Sequence, residues 1–295
     1  MHTPVTTRLH TLIHAPDILV MPAAFDPISA RLVQEAGFAA VQCSGLGISA
    51  THLGMPDVSI LSMSDMVSRT RAIVDAVDIP VMADGDTGFG NEVNTWYAVR
   101  AFEGAGAAGI NLEDQVLPKR CGQVKGKTLV SSNDMVAKIR AAVDARRDPH
   151  FVINARTDAL SLGGIEEAVA RGTAYLAAGA TMVFVEGIRS RDEVRDLARR
   201  LRGPLATNII EQGDGMQDVT FAELQSLGVA RVSLSVSLLL GAIHGMRQAL
   251  AHVNRTNGSP FDPAVHAPFA DAHALSGMPH ALELERRLTA NKEAA

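Results

Sequence analysis

The chain has 295 residues, a hydrophobic content of 47% and a formal net charge of −5 at pH 7. This composition is typical of a soluble globular protein with an aliphatic core, since aromatic residues make up only 4%. The mild negative charge argues against nucleic acid as a partner, because nucleic-acid-binding domains usually carry a basic face.

The chain shows no signal for export or for a membrane. Its first residues lack a basic patch followed by a long apolar region, and no run approaches the ~20 apolar residues of a membrane helix. The two cysteines are too few for a disulfide scaffold and lack the paired spacing of a zinc site. We therefore expect a cytoplasmic protein without a membrane partner.

Short apolar runs alternate with segments of helical periodicity. The runs are 18–25, 39–43, 79–83, 108–112, 151–155, 182–185, 205–210 and 231–236. The segments between them place apolar residues at helical spacing, and in the first segment the predicted stripe is Ile28, Leu32, Val33 and Ala36. Several segments end in a glycine that would cap the helix, namely Gly37, Gly106, Gly179 and Gly228.

Eight strand–helix units predict an α/β fold of parallel strands joined by crossover helices. A closed (β/α)8 TIM barrel fits this count best, and an open doubly wound sheet is the alternative. The segment "SGLGIS" lacks the third glycine of a dinucleotide-binding turn, so a dinucleotide cofactor is not expected.

The C-terminal region lies beyond the eighth unit. A helical pattern over 238–253 precedes "NRTNGSPFDP", which has the composition of a linker, and residues 269–288 predict one or two more helices. We predict a single barrel domain over residues 1–255, followed by a linker and helices over residues 256–295. These last helices would pack on a neighbouring subunit or, alternatively, on the base of the barrel itself.

Polar side chains follow the predicted strands, at the rim where a parallel barrel places its chemistry. They are Asp26, Ser44, Asp84, Asp86, Glu113, Asp114, Arg156, Asp158, Glu186, Asn208 and Glu211. Asp84 and Asp86 are two residues apart, which on an extended segment puts both on one side. Together with Glu113 they offer oxygen ligands that suit Mg²⁺ or Mn²⁺ better than zinc. Individually, such carboxylates could instead cap helices or pair with Arg156.

Two further features suit a substrate carboxylate, and the first would suit a phosphate equally. "QCSGLG" offers backbone N–H groups and the Ser44 hydroxyl before a helix, although an ordinary turn has the same pattern. Arg156 could hold a carboxylate in a bidentate fork, or could form a structural salt bridge with Glu113 or Glu186.

The segment of residues 112–127, "LEDQVLPKRCGQVKGK", resembles the signature of the isocitrate lyase/phosphoenolpyruvate mutase superfamily. Its lyase members carry the pattern Lys-Lys/Arg-Cys-Gly-His. The segments "LGMPD", "DGDTGFGN", "NARTDA" and "TNIIE" resemble the superfamily's other conserved blocks in order and spacing. The resemblance extends from about residue 18 to about residue 211.

The resemblance implies a (β/α)8 barrel that exchanges its C-terminal helix between subunits of a homotetramer, a dimer of dimers. It implies Mg²⁺ near Asp84, Asp86 and Glu113, held partly through waters, with Asp57 nearby. The substrate would be a small dicarboxylate or tricarboxylate.

The resemblance also implies the residues that contact this substrate. Ser44 and Gly45 would hold one of its carboxylates. The pocket would be lined by Arg156, Glu186, Asn208, Gly122 and Gln123. Cys121 would lie on a mobile gating loop.

These residue types suit a carbon–carbon lyase, in which the bond beside a 2-hydroxyl carbon breaks and leaves a carbanion next to a carboxylate. Arg156 would stabilise the developing charge, and Cys121 would exchange a proton with the carbanion carbon. We expect Lys119 and Arg120 to lower the pKa of this thiol. We expect Cys43, at the inner end of its strand, to be a buried apolar residue.

The sequence departs from the lyase pattern at several positions, including a missing Thr-Pro after Glu211 and a missing Tyr-Pro in "RVSLSVSLLLG", and two of the departures are single residues. Gln123 stands in place of the motif histidine, and Ile210 replaces a hydroxyl residue of methylisocitrate lyases. We therefore expect a substrate that is smaller or more apolar than methylisocitrate, such as an alkylmalate.

The predicted function is a Mg²⁺-dependent lyase that cleaves a 2-hydroxy dicarboxylate to a 2-keto acid and a second carboxylate. One alternative is a carboxyphosphonoenolpyruvate phosphonomutase. A second is a non-catalytic paralogue that binds a dicarboxylate, which only Gln123 favours.

Overall fold

The structure is a computed structural model that describes residues 3–209, 216, 218–256 and 261–290. Within these residues, parallel strands close into a barrel in chain order, with the first strand paired to the last. The strands are β1 Leu19–Ala24, β2 Val41–Cys43, β3 Val81–Asp84, β4 Gly109–Glu113, β5 Val152–Thr157, β6 Met182–Val185, β7 Leu205–Ile209 and β8 Val229–Leu234. The predicted (β/α)8 barrel is confirmed, and the open doubly wound sheet was wrong.

Helices follow the strands as the periodicity predicted. The α-helices are α1 Val5–Ile13, α2 Pro27–Glu35, α3 Gly45–Ile48, α4 Met63–Val74, α5 Glu92–Gly104, α6 Ser132–Ala145, α7 Leu160–Ala177, α8 Arg191–Arg200, α9 Phe221–Ser226, α10 Ser237–Thr256, α11 Phe269–Leu275 and α12 Met278–Ala290. A π-helical segment, Ser49–Leu53, continues α3. None of the described helices combines the length and the apolar character that crossing a membrane would require.

Helix α1 was not predicted from the sequence. Its Leu9 and Ile13 are buried in one hydrophobic cluster with Leu19 and Met21 of β1. This cluster also contains residues from the beginnings of other strands, so α1 covers the end of the barrel opposite the predicted site. Burial of these large aliphatic side chains is the main stabilising contribution of the helix.

The predicted glycine ends of the helices are confirmed, whereas the predicted apolar stripe of α2 is mostly wrong. Gly37, Gly106, Gly179 and Gly228 all adopt positive φ at the ends of helices, as predicted. Along α2, however, Ile28 and Leu32 are 49% and 43% exposed and Ala36 is exposed as well, so the stripe prediction was wrong for these three residues. Val33 and the small residue Ala30 face the barrel instead.

Strand β8 begins two residues before the predicted run, at Val229 rather than at Arg231. The pairing aligns Arg231 with Leu19 and Ala206, and Ser233 with Met21 and Asn208. Because side chains alternate along a strand, Arg231 and Ser233 point to the same face, which here is the barrel interior.

The chain divides into two compact units, Met1–Leu238 and Leu239–Ala295. The first contains the barrel and every predicted site residue. The second contains most of α10, together with α11 and α12, and an ion pair between His252 and Asp262 at 3.4 Å. The assignment of residues 1–255 and 256–295 to a barrel domain and a C-terminal region remains a prediction.

Candidate active site

The acid cluster forms where β3 and β4 end. Asp84, the last residue of β3, accepts hydrogen bonds from the backbone N–H groups of Gly45 (3.0 Å) and Asp86 (3.2 Å). Asp86 lies in the turn after β3, with a φ of 46°, so the prediction of one extended segment through both acids was wrong. The turn still places Asp86 on the same cavity as Asp84, and Glu113 reaches this cavity from the end of β4.

Lys119 places its ammonium group inside this acid cluster. Its Nζ lies 2.6 Å from Asp57 and 2.9 Å from Asp86, and its side chain is only 4% exposed. Burial opposes the positive charge, but Asp86, Glu113 and Asp57 outweigh burial and hold the pKa of Lys119 well above its usual value. The ammonium is therefore protonated and neutralises part of the clustered negative charge.

Arg156 joins the cluster to the neighbouring strands. Its guanidinium donates two hydrogen bonds to Asp158, at 3.0 and 3.2 Å, and lies 3.4 Å from Glu113 and 3.5 Å from Glu186. The Phe184 ring lies beneath it, with its centroid 5.4 Å from Cζ. The salt bridges considered as an alternative do form, and they fix the guanidinium at the carboxyl end of β5.

The loop of residues 115–131 folds over these charges. Its base is closed by a bridge between Gln115 and Leu129. The backbone N–H of Cys121 donates to the Asp57 carbonyl at 3.1 Å. A Cβ placed on Gly122 would lie 2.4 Å from Nη2 of Arg156, so no larger residue fits without a shift. The loop therefore covers the predicted site.

Gln123 lies against Glu186, which is buried at the end of β6. The side-chain Nε2 of Gln123 donates to Glu186 at 2.8 Å, and Asn208 donates to both carboxylate oxygens at 3.2 and 3.3 Å. These predicted pocket residues thus form one hydrogen-bonded group with Arg156.

Ser44 and Gly45 are near the cluster, but their polar groups already have protein partners. The Ser44 hydroxyl donates to the Ser235 carbonyl at 3.1 Å and accepts from the Gly47 N–H at 3.0 Å, which caps α3. The Gly45 N–H donates to Asp84. Their predicted role in binding a substrate carboxylate remains a prediction.

The structure overturns the expected pKa of Cys121. Burial raises the pKa of this thiol, and it outweighs the lowering caused by the Gln123 N–H, Lys119 and Arg156. Arg120 turns away and donates to the carbonyl of Lys125 at 3.1 Å, and Lys119 is engaged with two acids. The predicted lowering of the thiol pKa was therefore wrong, and the protonated thiol is the favoured form.

Burial also shifts the acids of the cluster. It raises the pKa of Glu113 to about 8 against the opposing effects of Arg156 and Lys119. It raises the pKa of Asp86 to about 6, although Lys119 opposes the rise. A cation at this site would favour the charged forms of both acids.

The chemistry of the donor set fits a hard cation held partly through water. A cavity of about 20 Å³ is lined by Gln42, Asp84, Asp86, Asn111, Glu113, Arg156 and Phe184. Oε1 of Glu113 is buried in the structure without a hydrogen-bond partner among the described residues. In the same residues, no three His, Cys, Asp or Glu side chains are arranged to ligate one ion directly. The fit thus requires water or substrate oxygens to complete the ligand set.

A larger cavity of about 420 Å³ lies beside the loop. Its lining includes Gly122, Gln123 and Asn208 and the apolar residues Ile188, Ile209 and Met216. Ile210 and Glu211, which entered the sequence analysis, lie outside the described residues.

Other acids and the second cysteine have structural roles. Asp26 caps α2 by accepting from the Ser29 N–H at 2.7 Å. Asp114 is fully buried and accepts from Thr157, Tyr175 and Arg171. Cys43 is fully buried, and burial raises its pKa to about 12, as expected for an inert core residue.

The sequence analysis missed Lys127 and Gln42. Lys127 is buried, and its Nζ donates to the Gly122 carbonyl and to Asp158, both at 2.6 Å. Its position at the end of the cysteine-containing segment was a signal that was not used. Gln42 lines the small cavity and precedes Ser44 by two residues, a spacing that already predicted the same face.

Comparison with known proteins shows independently which family this chain is similar to. Residues 9–254 match the family model described as phosphoenolpyruvate phosphomutase. The chain is 45% identical over 221 residues to 2,3-dimethylmalate lyase of Eubacterium barkeri, covering 75% of this chain and 76% of that one. It is 37% identical over 291 residues to the chloroplastic carboxyvinyl-carboxyphosphonate phosphorylmutase of Arabidopsis thaliana, covering 96% and 84%.

A solved structure agrees with these relatives. Phosphonopyruvate hydrolase in complex with oxalate and Mg²⁺ has a TM-score of 0.87 and 32% identity, covering 97% of this chain and 99% of that one. The shared barrel, the cysteine-containing loop over a rim of acids and the extent of these matches lead to one conclusion: the chain belongs to the phosphoenolpyruvate phosphomutase family, within the isocitrate lyase/phosphoenolpyruvate mutase superfamily.

Proposed function

We propose that this protein is a Mg²⁺-dependent carbon–carbon lyase. It cleaves a 2-hydroxy dicarboxylate of the alkylmalate or methylisocitrate type to a 2-keto acid and a second carboxylate. The observation that carries the proposal is the loop of residues 115–131, which holds Cys121 beside Asp57 and Gly122 against Arg156. The 45% identity to a 2,3-dimethylmalate lyase supports the same reaction class.

The raised pKa of Cys121 suits the cleavage direction. In this direction the 2-hydroxyl proton passes to the acid cluster, and the hydroxyl oxygen becomes the keto oxygen. The bond between carbons 2 and 3 breaks, and its electron pair stays on carbon 3. The Cys121 thiol then donates its proton to carbon 3, which completes the second carboxylate product.

The charged residues of the chain stabilise the negative charge that this step creates. Arg156 lies where the carboxylate next to carbon 3 would gain enolate character, and a preorganised guanidinium lowers the barrier for such a change. Lys127 ties the loop to Asp158 and Gln123 ties it to Glu186, so the loop would limit the access of water to the substrate. Exclusion of bulk water strengthens these electrostatic contacts.

The cation that fits this site is Mg²⁺, with Mn²⁺ as a substitute. Asp84, Asp86 and Glu113 would hold it, partly through waters. When bound, it would stabilise negative charge on the substrate oxygens. A relative of solved structure is named as a complex with oxalate and Mg²⁺, which supports this choice.

The larger cavity supports a substrate with an alkyl substituent. It extends from Gly122 to apolar side chains of Ile188 and Ile209. A methyl-bearing malate would place its carboxylates at the charged residues and its alkyl group against these side chains.

We further propose a homotetramer in which the C-terminal helices pack on neighbouring subunits. Support comes from apolar side chains of the second unit that are largely exposed in the single chain, such as Leu250 (67%), Phe269 (77%) and Leu282 (56%). A cytoplasmic location is consistent with two free cysteines.

The test is a keto-acid release assay with Mg²⁺ on a panel containing 2,3-dimethylmalate and 2-methylisocitrate. We expect release that disappears with EDTA and that falls about 10²- to 10⁴-fold in Cys121→Ser, the range for loss of a general acid. Cys43→Ala, which removes the other cysteine, should keep kcat within a few-fold of wild type.

Two outcomes would contradict the lyase. Formation of a carbon–phosphorus bond from a carboxyphosphonoenolpyruvate substrate, followed by phosphorus-31 NMR, would favour the phosphonomutase. Dicarboxylate binding without turnover of either substrate class would favour a non-catalytic paralogue.

A further inference from the structure

Arg231 is fully buried inside the barrel, and no acid among the described residues forms an ion pair with it. Nη2 donates to the Ser233 hydroxyl at 2.8 Å, Nε contacts Met21 Sδ at 3.2 Å, and the Phe184 ring centroid lies 5.8 Å from Cζ. Nη1 has no hydrogen-bond partner in the part of the chain that the structure describes. Burial alone lowers the pKa of Arg231 to about 9, so it stays protonated at neutral pH.

A buried charge without a partner opposes folding, so stability does not account for Arg231. Its contacts show what it does to its neighbours. A guanidinium can only donate hydrogen bonds, so the Ser233 oxygen accepts from it. The single hydroxyl hydrogen of Ser233 is then free to point to its other neighbour, Oε1 of Gln42, at 3.1 Å.

This chain of donors sets the orientation of the Gln42 carboxamide. Its oxygen faces Ser233, and the amide nitrogen is on the opposite side of the same planar group. Gln42 lines the 20 Å³ cavity together with Asp84, Glu113 and Arg156. Arg231 thus donates to Ser233, and Ser233 donates to Oε1 of Gln42. This leaves the N–H₂ group of Gln42 to face the floor of the candidate active site.

Two other donors near this floor are already engaged, whereas the side-chain amide of Asn111, whose Oδ1 accepts from Asn154 Nδ2 at 2.6 Å, also lines the cavity. The Ser44 hydroxyl hydrogen is used by the Ser235 carbonyl, and the Gly45 N–H is used by Asp84. Gln42 precedes Ser44 by two residues and points to the same face. A substrate oxygen that reaches this floor would therefore meet the amide of Gln42 or that of Asn111.

We propose that Gln42 binds an oxygen of the substrate carboxylate, and that Arg231 and Ser233 are positioning residues that turn its N–H₂ group toward that oxygen. The proposal rests on the proposed dicarboxylate substrate and adds a residue to its binding site. Replacement of Gln42 or breakage of the donor chain should therefore weaken binding of a carboxylate while the chemistry at Cys121 continues.

The experiment measures binding of oxalate in the presence of Mg²⁺ by titration calorimetry. The variants are Gln42→Met, Ser233→Ala, Arg231→Met and the double variant Arg231→Met/Gln42→Met. We expect each single variant to raise the Kd for oxalate about 10- to 100-fold, as for loss of a hydrogen bond to a charged group. The double variant should bind no more weakly than Gln42→Met, because both changes remove one interaction.

Conservative and matched variants separate positioning from a general effect on the fold. Arg231→Lys keeps a donor for Ser233 and should restore most of the affinity. Val232→Ala removes a buried side chain from the opposite face of β8 and should lower stability while changing the Kd for oxalate less than about twofold. Arg231→Met should melt no lower than wild type, because apolar replacement of a buried charge is often neutral or stabilising.

Turnover gives a second readout. With a cleaved substrate, Ser233→Ala should raise KM about tenfold or more and change kcat only a few-fold, the pattern of lost uniform binding. Wild-type affinity for oxalate in Ser233→Ala and Arg231→Met would overturn this inference but not the proposed function. Losses of affinity that add to the loss in Gln42→Met would do the same. A wild-type protein that binds no oxalate would contradict the proposed dicarboxylate site as well, and the inference with it.

Discussion

At the scale of single residues, the protonation state of Cys121 depends on where its neighbours point. The sequence places two basic residues directly before it, which suggested a lowered pKa. In the structure Arg120 bonds to Lys125 and Lys119 bonds to Asp57 and Asp86, so burial decides the result. A raised pKa keeps the proton on sulfur, which is what a general acid requires.

This protonation state can be tested by alkylation of Cys121 with iodoacetamide. A pKa above that of a free thiol means that the thiolate fraction, and hence the rate, should rise about tenfold per pH unit from pH 7 to 9 without levelling off. Mass spectrometry of the labelled peptide would follow the rate. Cys43, fully buried with its pKa raised to about 12, is the internal control and should stay unlabelled. A rate that reaches a plateau below pH 8 would contradict the raised pKa.

At the scale of elements, Lys127 connects the loop of residues 115–131 both to itself and to the barrel. Lys127 Nζ bonds to the Gly122 carbonyl and to Asp158, which in turn holds Arg156. The same carboxylate thus fixes the covering loop and the guanidinium beneath it. A change at Lys127 should therefore affect both the loop and the position of Arg156.

Replacement of Lys127 by Met should open the loop. Loss of this hydrogen-bonded ion pair should cost about 2 kcal/mol of loop closure, or roughly 30-fold in the ratio of closed to open forms. Hydrogen–deuterium exchange of residues 118–127 should become faster, and kcat/KM should fall. Lys125→Met removes an exposed positive charge from the same loop and should leave exchange unchanged. Equal exchange in Lys127→Met and wild type would show that Lys127 does not hold the loop.

At the scale of the whole molecule, the second unit carries large apolar side chains that are more than half exposed in the described part of the chain. Phe269 and Leu282 are 77% and 56% exposed, on different helices. Exposed apolar surface of this kind is typical of a subunit interface. It therefore supports the proposed assembly.

The assembly can be tested with Phe269→Glu and Leu282→Glu in the full-length chain. A charge buried in an interface opposes association, so we expect a smaller complex by light scattering coupled to size-exclusion chromatography. Glu285→Lys changes charge on α12 without adding an apolar or removing one, and should elute as wild type does. Wild-type mass for both glutamate variants would place these side chains outside any interface.

Much of the fold followed from the sequence because parallel strands buried on both faces read as apolar runs, and helices read as a 3.6-residue period. The pattern was less informative for α1, which precedes the first strand and so lies outside the alternation of strands and helices. It was also misleading for Ile28 and Leu32, whose spacing predicts a buried stripe but whose side chains are exposed. Periodicity identifies an element, whereas the neighbouring elements decide which part of it is covered.

By itself, the sequence determined the barrel, the order of the polar residues along its rim and the cysteine-containing segment after the fourth strand. Only the tertiary structure decided which of those polar groups are free to act. It engaged Gly45 with Asp84, raised the pKa of Cys121 and put Arg231 in line with Ser233 and Gln42. The physical reason is that residue type and spacing are local, whereas burial and hydrogen-bond partners depend on residues far apart in the chain.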